Sequence, residues 1–191
     1  MPSLAQTDRL NILHIASWYP SRISPQNGNF IERHIEAIGQ LTHSYVLHVV
    51  SDPHVEKREI INSKNTDYQS VTVIYPKGNI FNRFALNKKA HRIGYQEVKS
   101  LCSKFDLVHV HVMFPAIAFA KELASEMNIP IVVTEHATAY HDHHPVTYNL
   151  WQRLFLKRYG RNVKRYFPVS KDLQKSMMKK GIRGDYQVIP N

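Results

Sequence analysis

Short apolar runs recur along the chain at intervals that leave room for a helix between most neighbours. They are LNILHIA (10–16), YVLHVVS (45–51), VTVIYP (71–76), DLVHVHV (106–112), IPIVVTE (129–135) and RYFPVS (165–170), with a shorter YQVIP (186–190) after them. Valine and isoleucine are frequent and both faces are mostly apolar, as in strands covered on two sides within a parallel sheet. The intervening stretches have helical period. GNFIERHIEAIGQL places Ile31, Ile35 and Ile38 on one face, and Asn29 and Glu32 are spaced like a capping box. FPAIAFAKELASEM carries Pro115 near its first turn, and SKDLQKSMMKKG opens on Ser170 and closes on Gly181. This alternation predicts an α/β domain: a doubly wound, mainly parallel Rossmann-like sheet with helices on both faces. Residues 52–70 break the rhythm. They read either as a hairpin, with REII paired to SVTVIY around NSKNTD, or as a surface loop.

A chain of 191 residues has length for one domain, expected over 9–191 after a polar, poorly ordered tail at 1–8. Hydrophobic residues at 43% and charged residues at 21% fit a soluble globular protein. Cys102 is the single cysteine, which excludes a disulfide framework and fits a reducing compartment. No stretch reaches the roughly 20 apolar residues of a membrane span, so a cytoplasmic location is expected. The formal net charge of +10 attracts polyanions, whether nucleic acid, an anionic membrane or a phosphorylated substrate. The basic residues are dispersed over several helices without a recognition motif, which argues against nucleic acid.

In open α/β sheets ligands bind beyond the carboxyl ends of the strands, so four segments matter: 17–30, 111–116, 134–145 and 170–172. The first ends at Gly28, where a helix begins. It reads either as a phosphate-approach loop or as an ordinary glycine before a helix. Neither a dinucleotide-binding G-x-G-x-x-G nor a P-loop occurs. His109 and His111 share one side of their strand, and His111 lies nearer the carboxyl end. TEHATAYHDHHP (134–145) supplies His136, His141, His143 and His144 with Glu135 and Asp142. A zinc site would need tighter paired spacing, and adjacent His143 and His144 do not easily aim at one ion, so no metal is expected. His136, directly after the strand end, suits hydrogen bonding to a polar substrate or proton sharing near neutral pH. YHDHHP reads as a mobile polar loop.

WQRLFLKRYGRNVKRY sets Arg153, Lys157, Arg161 and Arg165 at four-residue spacing, with Trp151, Leu154, Phe155 and Tyr159 roughly opposite. This is either a helix for an anionic membrane face or, more simply, an outer helix packed on the sheet. Residues 81–105 invite the same two readings, with Phe81 and Phe84 as the lipid-reaching side chains.

Taken in order, ILHIASWYP…NGNFIERHIEAI, DLVHVHVMFPAIAFA, IPIVVTEHAT, RYFPVSKDL and VIPN resemble the N-terminal domain of a family 4 glycosyltransferase of the GT-B fold. The resemblance covers essentially the whole chain. It implies a retaining transfer from a nucleotide-sugar donor, usually without a metal, with this domain mostly holding the acceptor. It places Gly28 and Asn29 in the loop facing the donor diphosphate and His136 beside the transferred sugar. Trp18, Tyr19, His111, Thr138 and Tyr140 would lie on the acceptor side, by position. In the family VIPN leads into a second, donor-binding domain with an E-x7-E pattern. The chain is therefore expected to be a truncated piece or a half-enzyme, inactive alone. The expected acceptor is a polysaccharide or a lipid-linked glycan, and the basic helices fit peripheral contact with the inner membrane face. The competing expectation is a non-catalytic module that binds a glycan or an anionic lipid.

Overall fold

A computed structural model describes residues 9–79, 81–142 and 144–190, so the tail expected over 1–8 lies outside the described residues. The elements are β1 (Asn11–Ala16), α1 (Asn29–Gly39), β2 (His43–Asp52), β3 (Glu59–Lys64), β4 (Tyr68–Pro76), α2 (Arg83–Leu101), β5 (Leu107–His111), α3 (Ile117–Met127), β6 (Ile131–Glu135), α4 (Leu150–Tyr159), β7 (Arg165–Pro168) and α5 (Lys171–Lys179). The seven strands are mostly parallel and alternate with helices, the Rossmann-like α/β class that the apolar runs predict. Two compact units divide the chain: Met1–His14 with Tyr19–Leu107, and Ile15–Trp18 with Val108–Asn191.

In the first unit the strands lie in the order β3-β4-β2-β1. β2 and β4 pair in parallel, from Ser44 opposite Tyr68 to Asp52 opposite Pro76. The break at 52–70 is the hairpin: β3 runs antiparallel to β4, from Glu59 opposite Ile74 to Lys64 opposite Gln69. Its turn is set by Asn65, whose Oδ1 accepts the N–H groups of Asp67 and Tyr68 at 2.9 and 2.8 Å. Side chains alternate across a strand, so Tyr68 and Val73 of β4 face opposite ways. Tyr68 reaches Glu32 of α1. Val73 and Leu47 instead approach Gly94 of α2, where an added Cβ would meet the Leu47 Cδ1 at 2.5 Å. One helix therefore covers each face of this unit, and Leu47, Val71, Val73 and Val98 are fully buried between them.

The capping box expected of Asn29 and Glu32 does not form. The α1 N-cap is Gly28, in the left-handed region at φ 73°, with no side-chain cap. Its carbonyl accepts the N–H groups of Ile31 and Glu32, while the Glu32 carboxylate is drawn to the Tyr68 hydroxyl.

In the second unit β5, β6 and β7 are parallel neighbours, with Val108 opposite Ile131 and Val132 opposite Arg165. YQVIP forms an isolated bridge, Tyr166 with Tyr186, and the Ile189 N–H donates to the Pro168 carbonyl at 3.1 Å. Asn149 and Gln152 form a reciprocal capping box at the start of α4, and Ser170 Oγ accepts the Leu173 N–H at the start of α5. Leu156 is the buried residue of α4, and the apolar side read from the sequence is not buried as a whole: Trp151 is 80% and Leu154 47% exposed. No helix among the described residues is long and apolar enough to cross a membrane.

Candidate functional site

The second unit gathers three chain turns at strand carboxyl ends: Ser17–Trp18 after β1, Val112–Pro115 after β5 and His136–Tyr140 after β6. Two side chains join them. Ser17 donates its N–H to the His111 carbonyl at 3.0 Å and its Oγ to the Val112 carbonyl at 2.7 Å, and its Oγ accepts the Ala116 N–H. Glu135, fully buried, accepts N–H groups from Met113 at 3.0 Å, His136 at 2.9 Å and Ala137 at 2.8 Å, plus the Tyr140 hydroxyl at 3.3 Å. Burial raises the Glu135 carboxyl above its ordinary value, and the backbone donors of Met113, Ala137 and His136, with Tyr140, oppose that shift.

Held this way, β5 ends on a strained residue. Val112 sits at φ 62°, in the left-handed region that a β-branched side chain rarely enters. Such a conformation costs on the order of 1–3 kcal/mol and persists only where surroundings enforce it. Here its N–H donates to the Thr134 carbonyl at 2.9 Å while its carbonyl accepts from Ser17.

The predicted residues of this unit occupy different environments. His136 is half-buried at the start of its turn, and Thr138 is exposed one turn later. His111 is fully buried and stacks on His109 with centroids 4.2 Å apart. His109 itself hydrogen-bonds Thr134 Oγ1 at 2.7 Å, a core arrangement. Tyr140 is 1% exposed, and its hydroxyl is engaged by Glu135 and the Met113 sulfur. Trp18 is half-buried beside Ser17 in the chain.

The polar loop that follows is anchored. His141 meets Ser176 at 2.9 Å and Asp172 at 3.2 Å, and Asp142 pairs with Lys179 and Lys180 of α5. Those ammonium groups hold the Asp142 carboxyl far below the usual range. His144 turns to the Val146 backbone. His141, His144 and Glu135 each have separate partners; His143 lies outside the described residues.

Tyr19, Gly28 and Asn29 belong to the first unit. Tyr19 helps line a cavity of about 230 Å³ with Arg22, Glu32, Ser63, Tyr68 and Ser70. Arg22 reaches Glu59 at 2.8 Å and Asp52 at 3.9 Å. Tyr68 donates to Glu32 at 2.6 Å, and burial together with that carboxylate pushes its phenol up to about 12. Tyr19 is 4% exposed, and its hydroxyl has no hydrogen-bond partner among the described residues. Hydroxyls, a carboxylate and a guanidinium around one small cavity suit a polyhydroxylated ligand.

Ser17, Glu32 and Tyr68 are not site residues in the sequence reading, and Glu135 enters it only among possible metal ligands. Position at or after a strand end marks Glu135 and Ser17. Glu32 and Tyr68 meet only through the β4 register, which no local pattern displays.

No match was found among curated proteins. Among solved structures, one described as trehalose-6-phosphate from E. coli bound with UDP-2-fluoro glucose is similar, at 14% identity and a TM-score of 0.54. The match covers 94% of this chain and 48% of that one. An alpha,alpha-trehalose-phosphate synthase (UDP-forming) from Burkholderia xenovorans, in complex with glucose-6-phosphate, aligns at 10% identity, a TM-score of 0.48 and coverages of 94% and 49%. The chain thus spans about half the length of these two structures. The Glycosyltransferase Family 4 model matches residues 27–191, and on that match the chain belongs to glycosyltransferase family 4.

Proposed function

We propose that the chain is the acceptor-side part of a retaining glycosyltransferase, which moves a sugar from a nucleotide-sugar donor to a polysaccharide or lipid-linked glycan. The observation that carries this reading is the buried Glu135, which fixes the turn bearing His136 at the β6 carboxyl end. His136 hydrogen-bonds hydroxyls of the transferred sugar and so holds its anomeric carbon in place for attack. Trp18 and Thr138 contribute acceptor contacts, while the fully buried His111 and Tyr140 act through their neighbours His109 and Glu135. In the first unit, the left-handed turn at Gly28 lets the Asn29 backbone approach the donor diphosphate, where a helix N-terminus favours negative charge. Tyr19 offers its hydroxyl to the acceptor.

The reaction itself breaks the bond between the anomeric carbon and the diphosphate oxygen, and forms one to an acceptor hydroxyl, whose proton passes to the departing diphosphate. It needs no metal when fixed positive charge stabilises the departing diphosphate. The UDP-2-fluoro glucose described with the E. coli structure supports a nucleotide-sugar donor. A cytoplasmic location at the inner membrane face fits the +10 charge, with Phe81 at 94% and Trp151 at 80% exposure as apolar contacts. Screening nucleotide-sugars with the whole protein, with and without membrane lipid, and measuring nucleotide diphosphate release tests the proposal. Glycan or lipid binding with no donor turned over would instead mark a non-catalytic module.

A further inference from the structure

The second unit holds a cluster of cations at the opposite end from His136. α4 follows β6 and ends at Tyr159 before β7 begins, and α5 follows β7 and ends at Lys179. Crossover helices run back along their strands, so both helix C-termini face the amino-terminal edge of β6 and β7. A cavity of about 400 Å³ lies there, lined by Leu156, Lys157, Gly160, Arg161, Ile182 and Arg183.

Cations often gather at helix C-termini because unbonded carbonyls there are partially negative. Here several of the neighbouring carbonyls are already bonded. Leu156 O accepts the Gly160 N–H at 2.8 Å, and Gly160 O accepts the Tyr166 hydroxyl. Arg161 O accepts Lys121 Nζ at 3.0 Å. Met178 O and Met177 O accept the N–H groups of Gly181 and Ile182 at 2.9 and 3.1 Å. Among the acids of this unit, Asp185 pairs with Arg165, Asp142 with Lys179 and Lys180, and Asp172 meets His141. Lys157, Arg161 and Arg183 pair with no carboxylate among the described residues. The backbone also makes room for one of them. Gly181 sits at φ 82°, and an added Cβ would stand 2.5 Å from Lys157 Cε and 2.9 Å from its Nζ.

We propose that this cavity binds a phosphate group, as a free phosphate compound or as the phosphomonoester headgroup of a lipid. One lysine and two arginines line a single cavity where several local acceptors are already taken, and guanidinium forks match tetrahedral oxyanions. The site is separate from the His136 turn and does not depend on glycosyl transfer.

Binding of inorganic pyrophosphate to the 191-residue chain in chloride buffer, by calorimetry, tests the site beside flotation with phosphatidylcholine vesicles with and without phosphatidic acid. One phosphate group per chain is expected in at least one arm, weakened about tenfold by each of Lys157→Ala and Arg161→Ala. Both residues are exposed, so the variants keep the fold. Lys175→Ala removes the same charge from the outside of α5 and leaves binding unchanged. Pyrophosphate binding assigns a free phosphate compound; binding confined to phosphatidic acid vesicles assigns a headgroup. The site is overturned by no binding in either arm, by unchanged binding in the Lys157→Ala/Arg161→Ala double variant, or by an equal loss in Lys175→Ala.

Discussion

The Tyr68 hydroxyl donates to the Glu32 carboxylate at 2.6 Å and so ties β4 to α1 on one face of the first unit. Tyr19 packs edge-on to the Tyr68 ring, with centroids 6.4 Å apart, and its buried hydroxyl lies beside the Tyr68 phenol without a carboxylate of its own. The two tyrosines should therefore respond differently to loss of their hydroxyls. Tyr68→Phe removes a charge-assisted bond and is expected to destabilise the fold by about 1.5–3 kcal/mol in urea denaturation. Tyr19→Phe leaves stability unchanged or slightly higher, and raises the acceptor KM roughly three- to tenfold. Equal stability losses in the two variants would mean that Tyr19 is a structural residue only.

Glu135 is the anchor of the His136 turn. Glu135→Ala strands the buried N–H groups of Met113 and Ala137, the half-buried N–H of His136 and the Tyr140 hydroxyl, at an expected loss of about 3 kcal/mol or more. Glu135→Gln keeps the shape and turns one donor against another, with an expected loss of about 1–3 kcal/mol. Chemical denaturation followed by circular dichroism measures both, and a change under about 0.5 kcal/mol in Glu135→Ala would deny the anchoring role.

Acid should weaken the first unit through His91. Burial lowers its imidazole to about 4, against a hydrogen bond to the Asn87 carbonyl at 2.9 Å. The folded value lies below the unfolded one, so its contribution is present above about pH 6.5 and is lost as the pH falls towards 4. That window amounts to about 3 kcal/mol. Unfolding midpoints measured from pH 7 to pH 4 should fall less steeply for His91→Met than for the parent protein.

Phe81 is 94% exposed, and Arg83 lies 5.2 Å over the Phe84 ring. Aromatic groups beside cations fit the interfacial zone of an anionic bilayer. Replacing both phenylalanines with serine should weaken flotation with phosphatidylglycerol vesicles about tenfold or more and leave the melting temperature in place. Unchanged flotation would remove this segment from the membrane contact.

Much of the fold is legible because it is written in local pattern. Val and Ile runs mark the strands, and Ser170 marks the start of α5. The 52–70 hairpin stays ambiguous in sequence because β3 keeps five of its six residues exposed, leaving no apolar alternation to read. Asn29 and Glu32 fit a capping box in sequence, but the phenol of Tyr68 outbids the helix end for the carboxylate. The position of His136 directly after a strand end is legible. Val112 is not, since nothing in HVMFP announces a left-handed valine; Ser17 and Thr134, distant in the chain, hold it there. The anchoring of Asp142 by Lys179 and Lys180 is likewise long-range, so a loop that reads as mobile is tied to α5.

The central claim is that the His136 turn serves glycosyl transfer. The direct test is nucleotide-sugar-dependent release of nucleotide diphosphate by the whole protein with membrane lipid, comparing the parent with His136→Ala. The account predicts release by the parent and a fall of about a hundredfold or more in kcat for the variant, with an unchanged melting temperature. Release at the parental rate by a folded His136→Ala variant would contradict it.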